Sequence, residues 1–226
     1  MTRDLVQIGK ALAAPARVAM INMLFDGAEH TAGELARGAR VSAATGSEHL
    51  TVLTAAGIVV SHTAGRRRYY RLADEDIAHA LEQLSQSYPE PEITSLRLSR
   101  EQQRVRAART CYDHLAGQLG VGVTARFIEL GWIDRAVSAV TDLGLRELPQ
   151  RLAIDLVAGT TKRPMLRSCT DWTEKRPHMA GTLGAAVTTS FLERGWVTRK
   201  PSSRALVITA LGLSELDAFG ITVLAS

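Results

Sequence analysis

Apolar residues at the start of the chain recur every three or four positions, which is the spacing of one face of an α-helix. The pattern extends from Asp4 to Phe25 and is interrupted at Pro15, so it predicts two helices that meet near that proline. Thr31 and Glu34 follow at the spacing of a capping box, which predicts the beginning of a third helix. The first part of the chain is therefore expected to be helical.

A helix-turn-helix followed by a hairpin is predicted next. Ser42 is a favourable cap for a fourth helix over residues 43–56, and only a tight turn separates this helix from the third. Beyond Gly57 the sequence becomes rich in β-branched and aromatic residues on both sides of a turn at 64–65. A hairpin in that place is the wing of a winged helix-turn-helix.

The second half of the chain contains a tandem duplication. Residues 114–133 share eleven of twenty identities with residues 178–197, and TDLGLREL from Thr141 matches TALGLSEL from Thr209 at six of eight positions. Each unit predicts a helix, a second helix, a strand, and then a turn and a helix, an arrangement like that of a winged helix. Two similar units are expected to pack about a pseudo-twofold axis.

The two prolines of QSYPEPEITS divide the chain. We predict a winged helix-turn-helix domain over residues 1–86, a linker over 87–100 and a duplicated sensing domain over 101–226, with repeats at about 105–150 and 163–220. The expected fold class is mainly α with small β-wings (α+β).

Composition and charge narrow the class of protein. The chain has 226 residues, enough for two domains, and 46% of them are apolar. No run approaches the roughly eighteen apolar residues of a membrane span, and the N-terminus has no signal-peptide core. A cytoplasmic protein with two reduced cysteines is therefore expected. The net charge of +4 is spread along the chain, so binding of nucleic acid must depend on a local arrangement.

Three stretches of the first domain together carry a family resemblance. They are KALAAPARVAMINML, TAGELARGARVSAATGSEHLTVLTAAGIV and GRRRYYRL, and they lie in this order between about Asp4 and Leu84. They resemble the ArsR-type (arsenic-repressor-like) winged helix-turn-helix regulators. The resemblance implies a homodimer that binds an inverted-repeat operator in double-stranded DNA, with the helix over 43–56 in the major groove, and that releases it when an effector arrives.

The residues predicted to contact DNA lie on that helix and in the wing. Small polar side chains of the helix are candidates for reading bases: Ser42, Thr45, Ser47 and His49. Arginines beside the hairpin turn are candidates for phosphate contacts: Arg66, Arg67 and Arg68. A solvated charged loop and a packing role for His49 are the alternative interpretations. Gly46 and Glu48 depart from the family, which usually has a bulkier and a basic residue there.

The family's metal-sensing positions are altered in this chain. The helix before the recognition helix reads AGELARGA and has no cysteine, whereas the family's best-known site has a cysteine pair there. Another family site uses acidic residues and histidines on the helix after the wing, where this chain has Asp76, His79 and Glu82. An exposed charged helix face explains these residues as well. An apolar stripe on the same helix is expected to pack against a partner chain: Ile77, Leu81 and Leu84.

Both cysteines belong to the duplication, because RTCYD in the first repeat matches RSCTD in the second. Cys111 and His114 are three residues apart, so they are expected to share one face of a predicted helix. Two thiolates and two imidazoles that converge across a pseudo-twofold axis would form a tetrahedral site for Zn²⁺ or another thiophilic metal. The candidate metal or effector residues are Cys111, His114, Cys169 and His178.

The duplication is also compatible with two roles that involve no metal. An organic effector could occupy a pocket between the repeats, or the cysteines and histidines could be purely structural. The chain has no phosphate-binding glycine loop, GxSxG elbow or metalloprotease helix motif, so an enzyme is not expected. The sequence thus predicts a DNA-binding transcriptional repressor modulated by a metal, a thiol-reactive compound or a small organic ligand. The alternative is an architectural DNA-binding protein with a purely structural C-terminal domain.

Overall fold

Two hydrophobic cores organise the protein, for which a computed structural model describes residues 5–86, 96–154, 156, 163–200 and 203–222. The first core joins buried side chains between Ala11 and Ala78. The second joins buried side chains between Ala108 and Ile221, and it draws on both copies of the duplicated sequence. The first core therefore belongs to the helix-turn-helix region and the second to the repeats.

The first core is enclosed by helices and a small antiparallel sheet of strand order β1-β3-β2. The helices are α1 Leu5–Leu12, α2 Pro15–Leu24, α3 Ala32–Gly38, α4 Ala43–Ala55 and α5 Glu75–Gln86. The strands are β1 His30–Thr31, β2 Val59–Ala64 and β3 Arg67–Leu72. Helices α3 and α4 form the predicted helix-turn-helix, and β2 and β3 form the predicted wing.

Local signals set the boundaries of these helices. Pro15 is the first residue of α2, a position where its missing N–H is not needed. Thr31 accepts a hydrogen bond from the Glu34 amide, and the Glu34 carboxylate accepts one from the Thr31 amide, which completes a capping box at α3. Ser42 Oγ accepts from the Thr45 amide at 3.1 Å and caps α4. The sequence predicts these boundaries correctly because caps are local features.

The second core is enclosed by both repeats. The helices are α6 Leu96–Ala107, α7 Gly117–Glu129, α8 Asp142–Leu152, α9 Gly181–Glu193 and α10 Ala210–Ala218. The strands are β4 Arg109–Cys111, β5 His114–Ala116, β6 Arg167–Thr170, β7 Pro177–Ala180, β8 Val197–Arg199 and β9 Leu206–Ile208. Within the predicted linker, residues 96–100 are helical, and residues 87–95 lie outside the described part of the chain. Among the described residues, no helix combines the length and apolar character needed to cross a membrane.

Each repeat begins with a β-hairpin, where the sequence pattern predicts a helix, so that prediction is wrong. The first hairpin, β4–β5, is held in place by the second repeat. The Thr110 amide donates to the Arg204 carbonyl at 3.0 Å, and the Leu206 amide donates to the Ala108 carbonyl at 2.9 Å. These partners are more than ninety residues apart, so their pairing overrides a local helical preference that a sequence window detects.

Each repeat packs its long helix against a strand of the other repeat. Helix α7 of the first repeat lies on β7 of the second, α9 lies on β5, and β5 and β7 are neighbours. Across this junction the Met179 amide donates to the Thr124 hydroxyl at 2.9 Å. The gap that Leu115, Val123, Met179 and Val187 line has no room for a water molecule. At this junction, therefore, the repeats leave no space for the organic effector that the duplication alone would allow.

The repeated T-x-L-G and G-W motifs have a structural explanation. Gly144 in α8 and Gly212 in α10 lie against the backbone of Trp132 and Trp196, and a Cβ on either glycine would overlap the tryptophan carbonyl oxygen. Both tryptophan side chains are buried in the second core. These motifs therefore pack the last helix of each repeat against the turn that follows α7 or α9, and no ligand is needed to explain them.

Gly46 allows the two helices of the helix-turn-helix to approach closely. It is buried in α4, and a Cβ built on it would lie 2.6 Å from the Cβ of Ala36 in α3. Carbon atoms at that distance overlap, so a larger residue would force α4 away from α3. This contact explains why the chain has glycine inside the helix despite the cost in helix propensity.

Replacing Gly46 with alanine is expected to destabilise the first domain by about 1–2 kcal/mol, because overpacking of about 1–3 kcal/mol outweighs a propensity gain of up to about 1 kcal/mol. Gly33→Ala is the matched control, since a Cβ at Gly33 meets only Arg37 Nη1, at 3.6 Å. Urea denaturation followed by circular dichroism measures both variants. Equal stability of the two variants would contradict the proposed close contact.

Candidate metal centre and candidate DNA-binding surface

The two hairpins that begin the repeats bring four side chains together. Cys111 pairs with His114 across β4–β5, and Cys169 pairs with His178 across β6–β7. One ligand atom of each residue lies within 4.8 Å of the others, and all four side chains are buried. We call this group the Cys/His cluster. The prediction that Cys111 and His114 share a helix face is wrong, but cross-strand pairing also places neighbouring side chains on one side.

Different turns preserve the same register in the two hairpins. The first hairpin closes through Tyr112 and Asp113, with Tyr112 in the left-handed region at φ 61°. The second continues to the pair Thr170–Pro177 and closes through residues 171–176. Two residues separate the cysteine from the histidine in the first repeat and eight in the second, yet both pairs are directly opposed. The insertion in the second repeat therefore lengthens the turn and leaves the cluster geometry intact.

The imidazole nitrogens of the cluster have no hydrogen-bond partners. Both ring nitrogens of His114 and both of His178 are buried without one, and the ring centroids lie 5.1 Å apart. A buried polar atom without a partner is destabilising, and such atoms are rare in folded proteins. The two rings therefore have unused hydrogen-bonding or ligating capacity in a buried place.

A carboxylate lies beside each histidine. Asp113 Oδ1 is 3.5 Å from His114 Nδ1, and Asp171 Oδ2 is 3.4 Å from His178 Nδ1. Carboxylates in this position orient metal-binding imidazoles and leave Nε2 for the metal. Neither aspartate was predicted from the sequence, although each follows its cysteine by two residues in the repeated RTCYD and RSCTD. That repeat was the signal that could have found them.

The pKa values of the two thiols shift in opposite directions. Their Sγ atoms lie 4.0 Å apart. The contact with Cys111 is the main cause that lowers the pKa of Cys169, against the effect of burial and with support from both histidines. The contact with Cys169, together with burial, raises the pKa of Cys111. Burial alone would lower the pKa of His114, but Asp113 and Cys169 outweigh it and raise this pKa to about 9. The surroundings therefore favour a thiolate at Cys169 over one at Cys111.

Helix α5 of the first domain reaches both thiols. Cys111 Sγ donates to Glu82 Oε2 at 2.6 Å, and Cys169 Sγ lies 3.4 Å from His79 Nδ1. Glu82 is only 3% exposed, so the interpretation of this residue as part of a solvated helix face is wrong. Asp76 is exposed and pairs with Arg167 on β6 at 2.6 Å. The sequence pattern indicates these three residues only as a separate site and does not connect them with the cysteines.

The predicted DNA-contacting residues form a separate surface on α4 and the wing. On α4, Ser47 Oγ donates to the Ala43 carbonyl at 3.0 Å, and His49 Nδ1 lies 3.3 Å from Arg17 Nη1. Ser42 and Thr45 are joined through the cap of this helix. The three wing arginines, 66–68, are exposed, and no ion pair with another described residue is found for them. Their charges are therefore available for an external partner.

An apolar groove of about 500 Å³ lies between α1 and α5. Its apolar lining includes Ile8, Leu12, Ile77, Leu81 and Leu84. The last three form the stripe that the sequence predicts to contact a partner chain, and Leu84 is 51% exposed. One side of α5 therefore lines this groove, and another side of the same helix contacts the Cys/His cluster.

Asp171 also forms a buried ion pair that joins the repeats. It accepts hydrogen bonds from Arg109 Nη2 at 2.9 Å and from the Gly117 amide at 2.7 Å, and both charged side chains are fully buried. Burial alone would raise the pKa of Asp171, but Arg109, the Gly117 amide and Thr173 outweigh it and lower the pKa to about 2. The carboxylate next to His178 is therefore ionised at any physiological pH.

Comparison with known proteins finds relatives among transcriptional regulators. A family model described as a helix-turn-helix domain matches residues 12–62. The uncharacterized HTH-type transcriptional regulator YdfF of Bacillus subtilis is 36% identical over 222 residues, which cover 94% of this chain and 95% of the relative. The HTH-type transcriptional repressor SmtB of Mycobacterium tuberculosis is 40% identical over 70 residues, which cover 31% of this chain and 51% of the relative.

A solved structure is similar to a smaller part of the chain. It is the solution NMR structure of the homodimeric winged helix-turn-helix DNA-binding domain (fragment 1–100) of Mb0332 from Mycobacterium bovis, a possible ArsR-family transcriptional regulator. It is 30% identical and covers 40% of this chain and 86% of that chain, with a TM-score of 0.35. The YdfF match, which spans 94% of the chain, extends over both the helix-turn-helix region and the repeats.

Asp171→Asn is expected to lower the free energy of unfolding by about 3–5 kcal/mol at pH 7, because Arg109 would remain buried without a counter-charge. The control is Glu147→Gln, which removes an ion pair of the same 2.9 Å length with Arg151 on the surface and should cost at most about 1 kcal/mol. Guanidinium denaturation measures both variants.

The same pair predicts a pH dependence. The pKa of Asp171 is lower in the folded protein than in the unfolded chain, so its contribution is complete above the unfolded value of about 4 and is lost as the pH falls toward about 2. The stability difference between wild type and Asp171→Asn should therefore shrink over that interval. A difference that stays constant from pH 7 to pH 2 would show that the charge of Asp171 is not the cause.

Proposed function

The chain belongs to the helix-turn-helix transcriptional regulators of the ArsR type, and on that premise we propose that it is a repressor whose DNA binding is controlled by a metal ion. The observation that carries the proposal is the Cys/His cluster, in which two thiol sulfurs and two imidazoles converge within 4.8 Å. The imidazole nitrogens without hydrogen-bond partners could act as metal ligands, which supports a metal ion at this place.

The donor set favours Zn²⁺ or another thiophilic ion. Two thiolates and two imidazoles match tetrahedral coordination, and two thiolates balance the charge of a divalent cation in a buried position. Asp113 and Asp171 would hold the rings with Nε2 toward the metal. The ion would join the two hairpins and thus fix the junction of the repeats. Reversible binding of the ion at this junction would then make the conformation of the protein depend on the metal concentration.

DNA binding is assigned to α4 and the wing. The N-terminal part of α4 enters the major groove, where Ser42, Thr45, Ser47 and His49 are the candidates for reading bases. The exposed arginines 66–68 at the wing contact phosphates beside the groove. Glu48 adds a negative charge on α4, which leaves much of the electrostatic attraction to the wing.

A homodimer is assigned to the groove between α1 and α5. Its apolar side chains would be covered by the same groove of a second chain, which makes an isologous interface. Two winged helices related by a twofold axis then match an inverted-repeat operator. The spacing of the two recognition helices depends on the position of α5 in this interface.

The other effector classes receive less support. An organic ligand between the repeats would need a cavity, and the gap at their junction has no room for a water molecule. A purely structural role for the C-terminal domain, as in an architectural DNA-binding protein, leaves the two buried Nε2 atoms of His114 and His178 without an explanation. The relatives are named as transcriptional regulators, and a catalytic role is not proposed.

Alanine at all three wing positions, Arg66, Arg67 and Arg68, is expected to weaken DNA binding and to make the salt dependence shallower. Each lost phosphate contact lowers the slope of log K against log salt by about 0.9, so three contacts lower it by up to about 2.7. The probe is the duplex that the wild-type protein selects from a random pool, and fluorescence anisotropy gives the affinity. A matched control removes three exposed arginines of the C-terminal domain: Arg135, Arg146 and Arg151. Equal slopes for both triple variants would refute the wing assignment.

Protein purified under reducing conditions without chelators is expected to contain about one metal ion per chain, in keeping with a single Cys2His2 set. The double variant Cys111→Ser, Cys169→Ser should lose it, because hydroxyl groups do not replace thiolates as ligands of Zn²⁺. Ser168→Ala, next to Cys169 but exposed, is the control that should keep the metal. Elemental analysis gives the metal content, and Co²⁺ substitution tests for thiolate-to-metal charge transfer.

Two results would overturn the metal assignment. One is a wild-type protein that stays metal-free after reconstitution with Zn²⁺ in reducing buffer. The other is a double variant that retains the wild-type metal content. A disulfide between Cys111 and Cys169 in freshly isolated protein, together with the first result, would instead support a thiol-oxidation signal, since their Sγ atoms lie 4.0 Å apart.

A further inference from the structure

Glu82 connects the Cys/His cluster to the DNA-binding domain. We infer that its hydrogen bond with Cys111 exists only in the metal-free protein, and that loss of this bond on metal binding is how α5 receives the signal. The inference rests on the proposed function, because it requires a metal at the cluster. It assigns to Glu82 a positioning role and not that of a ligand, since two cysteines and two histidines already complete a tetrahedral site.

Glu82 is held by three parts of the protein. It belongs to α5, it accepts the Cys111 thiol at 2.6 Å, and its other carboxylate oxygen pairs with Arg204 in the turn between β8 and β9. Arg204 in turn lies over the ring of Phe25, at the end of α2, with 5.2 Å between guanidinium carbon and ring centroid. One buried carboxylate therefore joins the helix after the wing to both repeats.

Metal binding is incompatible with this hydrogen bond. If Cys111 held a metal ion, its S–H bond would break, the proton would pass to water, and the sulfur electron pair would bind the metal. A sulfur bound in this way has no hydrogen to donate, and it places negative charge next to the Glu82 carboxylate. The 2.6 Å contact between Cys111 Sγ and Glu82 Oε2 then changes from attractive to repulsive.

A second thiol contact lies on the same helix. His79, three residues before Glu82 and on the same face of α5, lies 3.4 Å from Cys169 Sγ through Nδ1. Both sulfurs of the cluster are therefore in contact with α5 in the structure. A metal ion that takes both sulfurs as ligands changes both contacts at once.

Helix α5 can pass this change to the DNA-binding surface. Ala78 of α5 is part of the first core, and the helix packs against β3 of the wing. Ile77, Leu81 and Leu84 line the groove assigned to the partner chain. A ligand shifts a conformational equilibrium only through contacts that differ between the two states, and the contact between Glu82 and Cys111 is such a difference.

The test compares Glu82→Gln with the wild type in two separate measurements. Glutamine keeps the shape of glutamate, can accept from a thiol and can donate to a metal-bound thiolate, so it should no longer distinguish the two states. Competition with a chelator gives the Zn²⁺ affinity. Fluorescence anisotropy with the selected duplex, with and without Zn²⁺, gives the effect of the metal on DNA affinity. Asp76→Asn is the matched control, because it removes a carboxylate of α5 that contacts β6 but neither thiol.

Zn²⁺ is expected to weaken DNA binding at least about tenfold in the wild type and in Asp76→Asn, within the usual range of allosteric coupling. In Glu82→Gln the Zn²⁺ affinity should rise, because the variant removes a contact that favours the metal-free state, while the effect of Zn²⁺ on DNA affinity should fall below about threefold. If folding of Glu82→Gln fails for lack of a charge opposite Arg204, Glu82→Asp is the second variant. It keeps that charge but is too short to reach the sulfur, and the same loss of coupling is expected.

Three results would overturn the inference. Wild-type coupling in the Glu82 variants would show that the signal takes another route. Loss of Zn²⁺ affinity by more than about tenfold would show that Glu82 is a metal ligand. Absence of any Zn²⁺ effect on DNA in the wild type would refute the proposed function itself, and the coupling with it. The first two results would leave the proposed function intact. Failure of the inference about Glu82 can therefore be distinguished from failure of the proposed function.

Discussion

The ion pair between Arg109 and Asp171 is the interaction on which the C-terminal domain depends. It joins the first strand of one repeat to the turn of the other, in a place where neither charge meets water. Asp171 also accepts from the Gly117 amide at the start of α7 and lies beside His178. A buried pair of this kind is costly to form and far more costly to break, so the relative position of the two hairpins is narrowly defined. The geometry of the Cys/His cluster depends on this fixed position of the two hairpins.

The sequence predicts the first domain well because its signals are local. Thr31, Glu34 and Ser42 act within one turn of the helices that they cap, and the wing follows from a change in residue type around a turn. The convergence of the four cluster residues was expected from the duplication alone. The hairpins were not, because strand β4 depends on partners in the second repeat that no short window contains. The contacts of His79 and Glu82 were missed for the same reason, since they arise where one domain meets the other.

The proposed metal centre lies where the two domains touch. Close to the cluster, the Thr110 hydroxyl donates to the Phe25 carbonyl at 3.1 Å, and Arg199 of β8 donates to the Asp26 carbonyl. The end of α2 and helix α5 therefore both contact the repeats. A change in the cluster does not have to cross a long distance to reach the DNA-binding domain, because α5 takes part in both. Coupling through a shared rigid helix requires only a small displacement.

The division of the cluster between the repeats also has a consequence for how the protein is made. A ribosome that has released only the first repeat has supplied one cysteine and one histidine of the cluster, and Cys169 follows Cys111 by 58 positions. Two ligands hold a metal ion far more weakly than four, so under the proposed function the nascent chain would not compete for the ion until the second hairpin had emerged. Capture of the ion would then coincide with completion of the C-terminal core. Only a finished chain would report the metal content of the cell.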